Sequence, residues 1–284
     1  MEGTQITQRL INKIAVLDIE NAFARAVVSL HGGQVLSFQP HGEEKVLWLS
    51  PDAAYGEGKA IRGGIPICWP WFSKRAEGGP NHGFARTNLW RLKEQNTLQT
   101  GETRLLLSLP ETTHAAWDGS ASLETEIIIG KELKVSLIMQ NIGDQPVAIS
   151  QALHTYFNVS DVEAVTVEGL AGRRYLDEAD NQKAYVQQGD VTLQGEVDRA
   201  YLNTSDTCTI IDPGLKRKIV IRKSGSNGTI VWNPGAELAR QMADVPDEGY
   251  RHMVCVETAT LPALAVQLEP QQTHTISTCI SVVR

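Results

Sequence analysis

Leu123-Glu124-Thr125-Glu126-Ile127-Ile128-Ile129, then Gly130-Lys131-Glu132, then Leu133-Lys134-Val135-Ser136-Leu137-Ile138-Met139: this stretch decides the fold class. Two β-branched, apolar-rich runs flank a three-residue turn led by glycine, the pattern of an antiparallel hairpin. The same punctuation recurs on both sides. Upstream, Phe23–Leu30 stops at His31-Gly32-Gly33, Val35–Phe38 stops before Pro40, Lys45–Leu49 stops at Ser50-Pro51-Asp52, and Leu105–Leu109 follows. Downstream, strands are expected at 147–153, 164–168, 207–211, 218–222, 228–232, 252–257 and 275–283. Ser224-Gly225-Ser226-Asn227-Gly228 reads as a hairpin turn. One short helix is expected at Glu237–Met242, opened by Asn233-Pro234-Gly235 and closed before Pro246. Many short strands with Gly/Pro turns make an all-β sandwich or barrel. With no low-complexity linker and no fixed repeat, residues 1–284 are expected to form a single domain.

Bulk properties narrow the function. The chain has 284 residues, 42% of them hydrophobic, enough for one large domain. A net charge of -7 argues against general nucleic-acid or membrane-surface binding. No segment approaches the roughly 20 apolar residues of a bilayer span, and the N-terminus lacks the basic and apolar regions of a signal peptide. Cys68, Cys208, Cys255 and Cys279 are scattered without C-x-x-C spacing, so zinc is not indicated. Cys255 and Cys279 sit in apolar surroundings that suit reduced, buried thiols. The cytoplasm is the expected compartment.

Chemistry concentrates in a few places. Arg62-Gly63-Gly64-Ile65-Pro66-Ile67-Cys68-Trp69-Pro70-Trp71-Phe72, closely followed by Asn81-His82-Gly83-Phe84-Ala85-Arg86, sets two arginines and a histidine among glycines and aromatics. Arginine forks grip carboxylates or phosphates, and aromatic faces form flat walls. The mixture suits a pocket for a small, polar, ring-shaped anion. In the 148–157 run, strand alternation puts Ser150, Ala152, His154 and Tyr156 on one face and Ile149, Leu153 and Phe157 on the other. Small and polar residues around a histidine look like a cleft floor, although a neighbouring hydroxyl could equally satisfy that ring. Glu257 ends the apolar run Met253-Val254-Cys255-Val256, where a carboxylate needs either a partner or a task. Asp198 opens a strand-like segment and has a turn-capping reading as well. Phosphate-binding glycine loops, the G-x-S-x-G elbow and H-E-x-x-H are all missing from the sequence.

Together these pieces resemble the hexose-6-phosphate mutarotases, a branch of the aldose 1-epimerase, galactose-mutarotase-like superfamily. The segments that carry the resemblance are Val46–Ser50, 62–72, His82–Arg86, Ala152–Val159, Asp198–Asn203, Val231–Gly235 and Val254–Thr258, in order over most of the chain. The resemblance implies a large antiparallel β-sandwich with few short helices and a broad cleft for the sugar. It implies His154 and Glu257 as acid and base across the anomeric centre, Arg62 and Arg86 on the substrate, and Asn81, His82 and Asp198 as sugar contacts. The loop Ser73–Asn81 departs from any fixed family pattern, which leaves open what besides the two arginines meets phosphate. The implied reaction needs no metal or other cofactor, and its partner is a small sugar phosphate rather than nucleic acid or membrane. A mutarotase of free aldoses, a non-catalytic carbohydrate-binding module on the same fold, and a glycosidase using Asp198 as second acid are the alternatives.

Overall fold

The computed structural model describes residues 4–284. Its frame is two large antiparallel sheets. The first has nine strands, in the order Val191–Thr192, Thr166–Glu168, Cys208–Asp212, Arg217–Ser224, Thr273–Val283, Leu133–Asn141, Ala121–Ile129, Thr103–Ser108 and Arg91–Thr97. The second runs Lys183–Val186, Arg174–Asp177, Val197–Leu202, Gly228–Asn233, Met253–Thr260, Gln151–Leu153 and Ile67–Cys68, with Tyr156–Asn158 also paired to Met253–Thr260. A four-stranded sheet (Gln5–Ile11, Ile14–Glu20, Ala24–Ser29, Val35–Pro40) and a two-stranded one (Val147–Ile149 with Val266–Leu268) complete it.

The hairpin behaves as its sequence demands. Ile129 pairs with Leu133 across Gly130–Glu132, and burial alternates along Ala121–Ile129 because one face meets the core. Leu137, Ile276 and Ile280 of the nine-stranded sheet share one apolar cluster with Leu153, Val254 and Val256 of the eight-stranded sheet. The two sheets therefore pack face to face as a sandwich. Burial of these side chains supplies the main favourable term, roughly 1.5–3 kcal/mol for each fully buried large aliphatic residue.

Several expectations need correction. Ser224–Gly228 is no hairpin turn. It carries the chain from Arg217–Ser224 in one large sheet to Gly228–Asn233 in the other. Asn227 fixes the crossing, donating to the Leu264 carbonyl and accepting from the Leu261 N–H. Lys45–Leu49 is extended but makes only single bridges, Leu47 to Phe157 and Leu49 to Gly63, because its N–H groups go to different partners: Val46 to Phe38, Trp48 to Tyr156. The run 147–153 is broken at Ser150, whose N–H donates to Pro70 and whose Oγ accepts from the Phe72 N–H. The helix is Gly235–Ala239, shifted towards its start because the Asn233 side chain accepts from the Gly235 N–H and tight turns follow Ala239. Glu257 lies within Met253–Thr260 rather than at its end, since Thr258 and Thr260 are buried and pair onward. All four cysteines are free, but Cys279 is only partly buried.

Strands absent from the sequence reading are mostly edge or outer strands. Arg91–Thr97 and Lys183–Val186 are largely exposed on both faces, so no hydrophobic period marks them. No helix among the described residues is long and apolar enough to cross a membrane.

Candidate active site

Strand register lays out the floor of the site. Tyr156 opposes Cys255, Cys255 opposes Trp232, and Trp232 opposes Asp198. Two residues along each strand, Glu257 opposes Ile230 and Ile230 opposes Ala200. A third row holds Cys68, Ala152, Ala259, Gly228 and Leu202. Opposed residues, and residues two apart, project from the same sheet face. This is the face turned away from the nine-stranded sheet. Phe72 and Leu261 pack over the small residues of the third row.

The pairs Leu153–Thr258 and Tyr156–Cys255 belong to one register, which puts His154 directly across from Glu257. The ladder opens at that spot. The His154 N–H donates to the Pro66 carbonyl, and the Thr155 N–H folds back on Leu153. His154 Nδ1 lies 3.3 Å from Glu257 Oε1. Neither Nδ1 nor Glu257 Oε2 has an aligned hydrogen-bond partner, although the residues are only 7% and 1% exposed. Burial drives both towards their neutral forms. The His154 pKa falls well below 6.5 through desolvation, helped by His82, Arg86 and Arg62. The Glu257 pKa rises well above 4.5 through desolvation and the nearby Asp198, against Arg86.

The glycine-rich segment 62–72 is threaded into this floor. Gly64 has φ +68°, and a Cβ there would lie 2.1 Å from the Val35 carbonyl. Ile67–Cys68 then joins the sheet edge beside Gln151–Leu153. Gly83 lies as tightly against Trp69, with 2.0 Å from a Cβ to the Trp69 carbonyl oxygen. Only glycine permits these approaches. The turn so formed presents His82, itself at φ +61°. Its ring sits edge-on to His154 with centroids 5.7 Å apart, and edge-on to Phe72 at 4.8 Å. The Ser73 N–H donates to His82 Nδ1, so the neutral ring carries its proton on Nε2. Burial, Arg86 and Arg62 lower the His82 pKa to about 3.

Arg86 follows on the short turn Ala85–Thr87. One of its amino groups donates to the Asn81 carbonyl, while its buried Nε has no partner. Arg62 donates from Nε to Asp244 at 3.0 Å and from an amino group to the Tyr156 hydroxyl at 2.9 Å. The Tyr156 ring lies flat on His154, and Trp232 meets both edge-on. At the other end of the floor Asp198 is partly buried, and its pKa is raised to about 7 by desolvation and by Glu178, Glu196 and Asp177. The site is therefore polarised, with arginines around His154 at one end and carboxylates around Asp198 at the other.

Six of the seven residues singled out in the sequence, Arg62, His82, Arg86, His154, Asp198 and Glu257, fall on or beside this floor. Asn81 does so only through its carbonyl, its side chain being part of an exposed residue. Sequence reasoning overlooked Asp244, which lies in an irregular loop with no periodicity to mark it. Donor atoms of His154, Cys255 and Glu257 lie within 4.8 Å of one another, a set of metal-ligand types. Burial raises the Cys255 thiol well above its ordinary pKa, so it borders the pair as an uncharged neighbour.

Known proteins resemble this chain over most of its length. Residues 15–281 match the family profile described as aldose 1-epimerase. The chain is 37% identical over 257 residues to a candidate glucose-6-phosphate 1-epimerase of Escherichia coli K12, covering 89% of this chain and 86% of that protein. It is 34% identical over 262 residues to one from Cenchrus ciliaris, covering 88% and 79%. The crystal structure of a candidate mutarotase, YeaD of Salmonella typhimurium, superposes with a TM-score of 0.91 at 33% identity, covering 98% of this chain and 94% of that one.

Proposed function

The chain belongs to the aldose 1-epimerase family, and from that premise we propose that it interconverts the α and β anomers of a hexose 6-phosphate, glucose 6-phosphate foremost. The observation that carries the mechanism is the opposition of His154 and Glu257 at 3.3 Å on the floor of the site. Mutarotation needs a proton taken from the anomeric hydroxyl and another given to the ring oxygen. Glu257 takes the first and His154 gives the second. The C1–O5 bond breaks to the open aldehyde, the chain rotates about C1–C2, and closure on the other face returns both protons.

The charge balance suits a buried site. The reactive form of the pair is carboxylate and imidazolium, held at low population at rest because burial favours the neutral groups, and ring opening turns it into carboxylic acid and neutral imidazole. The net charge does not change, and burial favours the second form of the pair. Ring opening therefore runs with the desolvation energy of these groups. His82, neutral and donating from Nε2, suits a sugar oxygen. Asp198 suits hydroxyls at the far end, and Arg62 and Arg86 suit the phosphate.

The apolar cluster runs from Leu17 to Ile280, which supports treating the chain as one catalytic domain. Its free thiols suit the reducing cytoplasm. The deciding experiment is NMR exchange or polarimetry on α-glucose 6-phosphate, α-glucose and α-galactose with the pure protein. Catalysed exchange that favours the phosphorylated sugar is expected. Binding without exchange would replace the enzyme with a carbohydrate-binding module, and equal rates on free sugars would make it a general aldose mutarotase.

A further inference from the structure

We propose that Asp244 is a specificity-determining residue that positions Arg62 and, by neutralising it, limits how tightly the site holds a phosphate. The inference rests on the hexose-phosphate reading above. Asp244 follows the short helix Gly235–Ala239, in a loop anchored by the buried Val245. It reaches Arg62, which lies 182 positions earlier in the chain. Their side chains remain 24% and 27% exposed, so the ion pair sits at the rim and faces solvent as well as protein.

The geometry separates two effects of one carboxylate. Arg62 has five N–H donors. Asp244 takes Nε–H and Tyr156 takes one from an amino group, which fixes the plane of the fork and leaves the other donors for a ligand. The same carboxylate sets a full negative charge against the cation that would meet a dianion. At the opposite end, carboxylates gather around Asp198. Asp244 is thus an acid at the basic end of a polarised site. A phosphate arriving there gains the fork and is repelled by the group that holds it. That compromise suits an enzyme that must release a sugar phosphate after each exchange.

Asparagine separates the effects, because its amide oxygen still accepts from Arg62 Nε–H while the charge is gone. For Asp244→Asn, inorganic phosphate should inhibit exchange at about 3- to 30-fold lower concentration, and KM for glucose 6-phosphate should fall by a similar factor. Exchange of free glucose should change several-fold less than exchange of glucose 6-phosphate, since its hydroxyls carry no charge. For Asp244→Ala, which frees the fork, the preference for the phosphorylated sugar should shrink through a higher KM rather than a lower kcat. A phosphate inhibition constant in Asp244→Asn that is unchanged or weaker overturns the proposal. So does a change shared equally by glucose and glucose 6-phosphate, the mark of a merely structural contact. Thermal unfolding of each variant verifies folding, and Asp244→Ser serves as a second neutral acceptor should Asn fold poorly. Wild-type protein with no phosphate preference would instead sink the hexose-phosphate reading itself, so the two failures are distinguishable.

Discussion

The rings of Tyr156 and His154 lie parallel, 6° apart in plane and 4.8 Å apart at their centres. They are two residues apart, His154 in the break between Gln151–Leu153 and Tyr156–Asn158, and the Tyr156 hydroxyl accepts from Arg62. The tyrosine thus links the buried imidazole to the arginine at the rim.

Tyr156→Phe keeps the stack and removes the acceptor. A hydrogen bond to a charged group contributes roughly 1.5–3 kcal/mol. The specificity constant for glucose 6-phosphate should fall about tenfold while exchange of free glucose holds. Tyr156→Ala should cost about 3–5 kcal/mol of stability, as buried aromatic deletions do. Denaturant unfolding and exchange kinetics measure the two effects, and a Phe variant identical to wild type would remove Tyr156 from the positioning of Arg62.

Glu257→Gln and His154→Asn should each lower exchange by about 10²–10⁴-fold with the fold retained. Both substitutions keep shape and remove a proton site. NMR exchange with a circular-dichroism control reads the outcome, and activity within tenfold of wild type would refute the acid–base assignment.

The pH profile of exchange should be bell-shaped, with limbs that belong to the pair. Taken singly, the histidine is pushed down and the glutamate up, the reverse of a simple assignment of the acidic limb to glutamate and the basic limb to histidine. Activity requires one proton on the pair. A second proton arriving defines the acidic limb, and loss of the first defines the basic limb. Each single variant keeps one titratable partner, so its residual rate should keep a single limb. A variant that retains the full bell would show that other groups set the limbs.

Asp198→Asn should stabilise the protein at alkaline pH. The folded carboxyl has its pKa raised to about 7 from 3.8. Its contribution to stability is thus fully present below about pH 4 and is lost as pH rises through 7. Asparagine has no such loss. The difference in melting temperature between variant and wild type should grow from pH 5 to pH 8, while KM for the sugar rises. A constant difference would show that Asp198 is ionised in the folded protein throughout.

Much of the architecture was legible along the chain. The Leu123–Met139 hairpin and most core strands announced themselves because one face of each meets apolar packing and the other does not. The outer strands did not, since two exposed faces leave no period to read. The crossing at Ser224–Gly228 was misread because a turn between strands of different sheets uses the same Gly/Ser/Asn chemistry as a hairpin. His154 was conspicuous as a histidine among small residues, and Glu257 as a carboxylate in an apolar run.

Residue types and their alternation determined, by sequence alone, that the chain is all-β and which side chains could do chemistry. Only the tertiary structure decided that His154 stands opposite Glu257, because register is a relation between strands separated by about a hundred residues and no local pattern encodes it. The same holds for Asp244 on Arg62. Protonation was decided there too: an isolated sequence assigns His154 and Glu257 ordinary pKa values, and burial of both in one low-dielectric floor moves each towards neutrality.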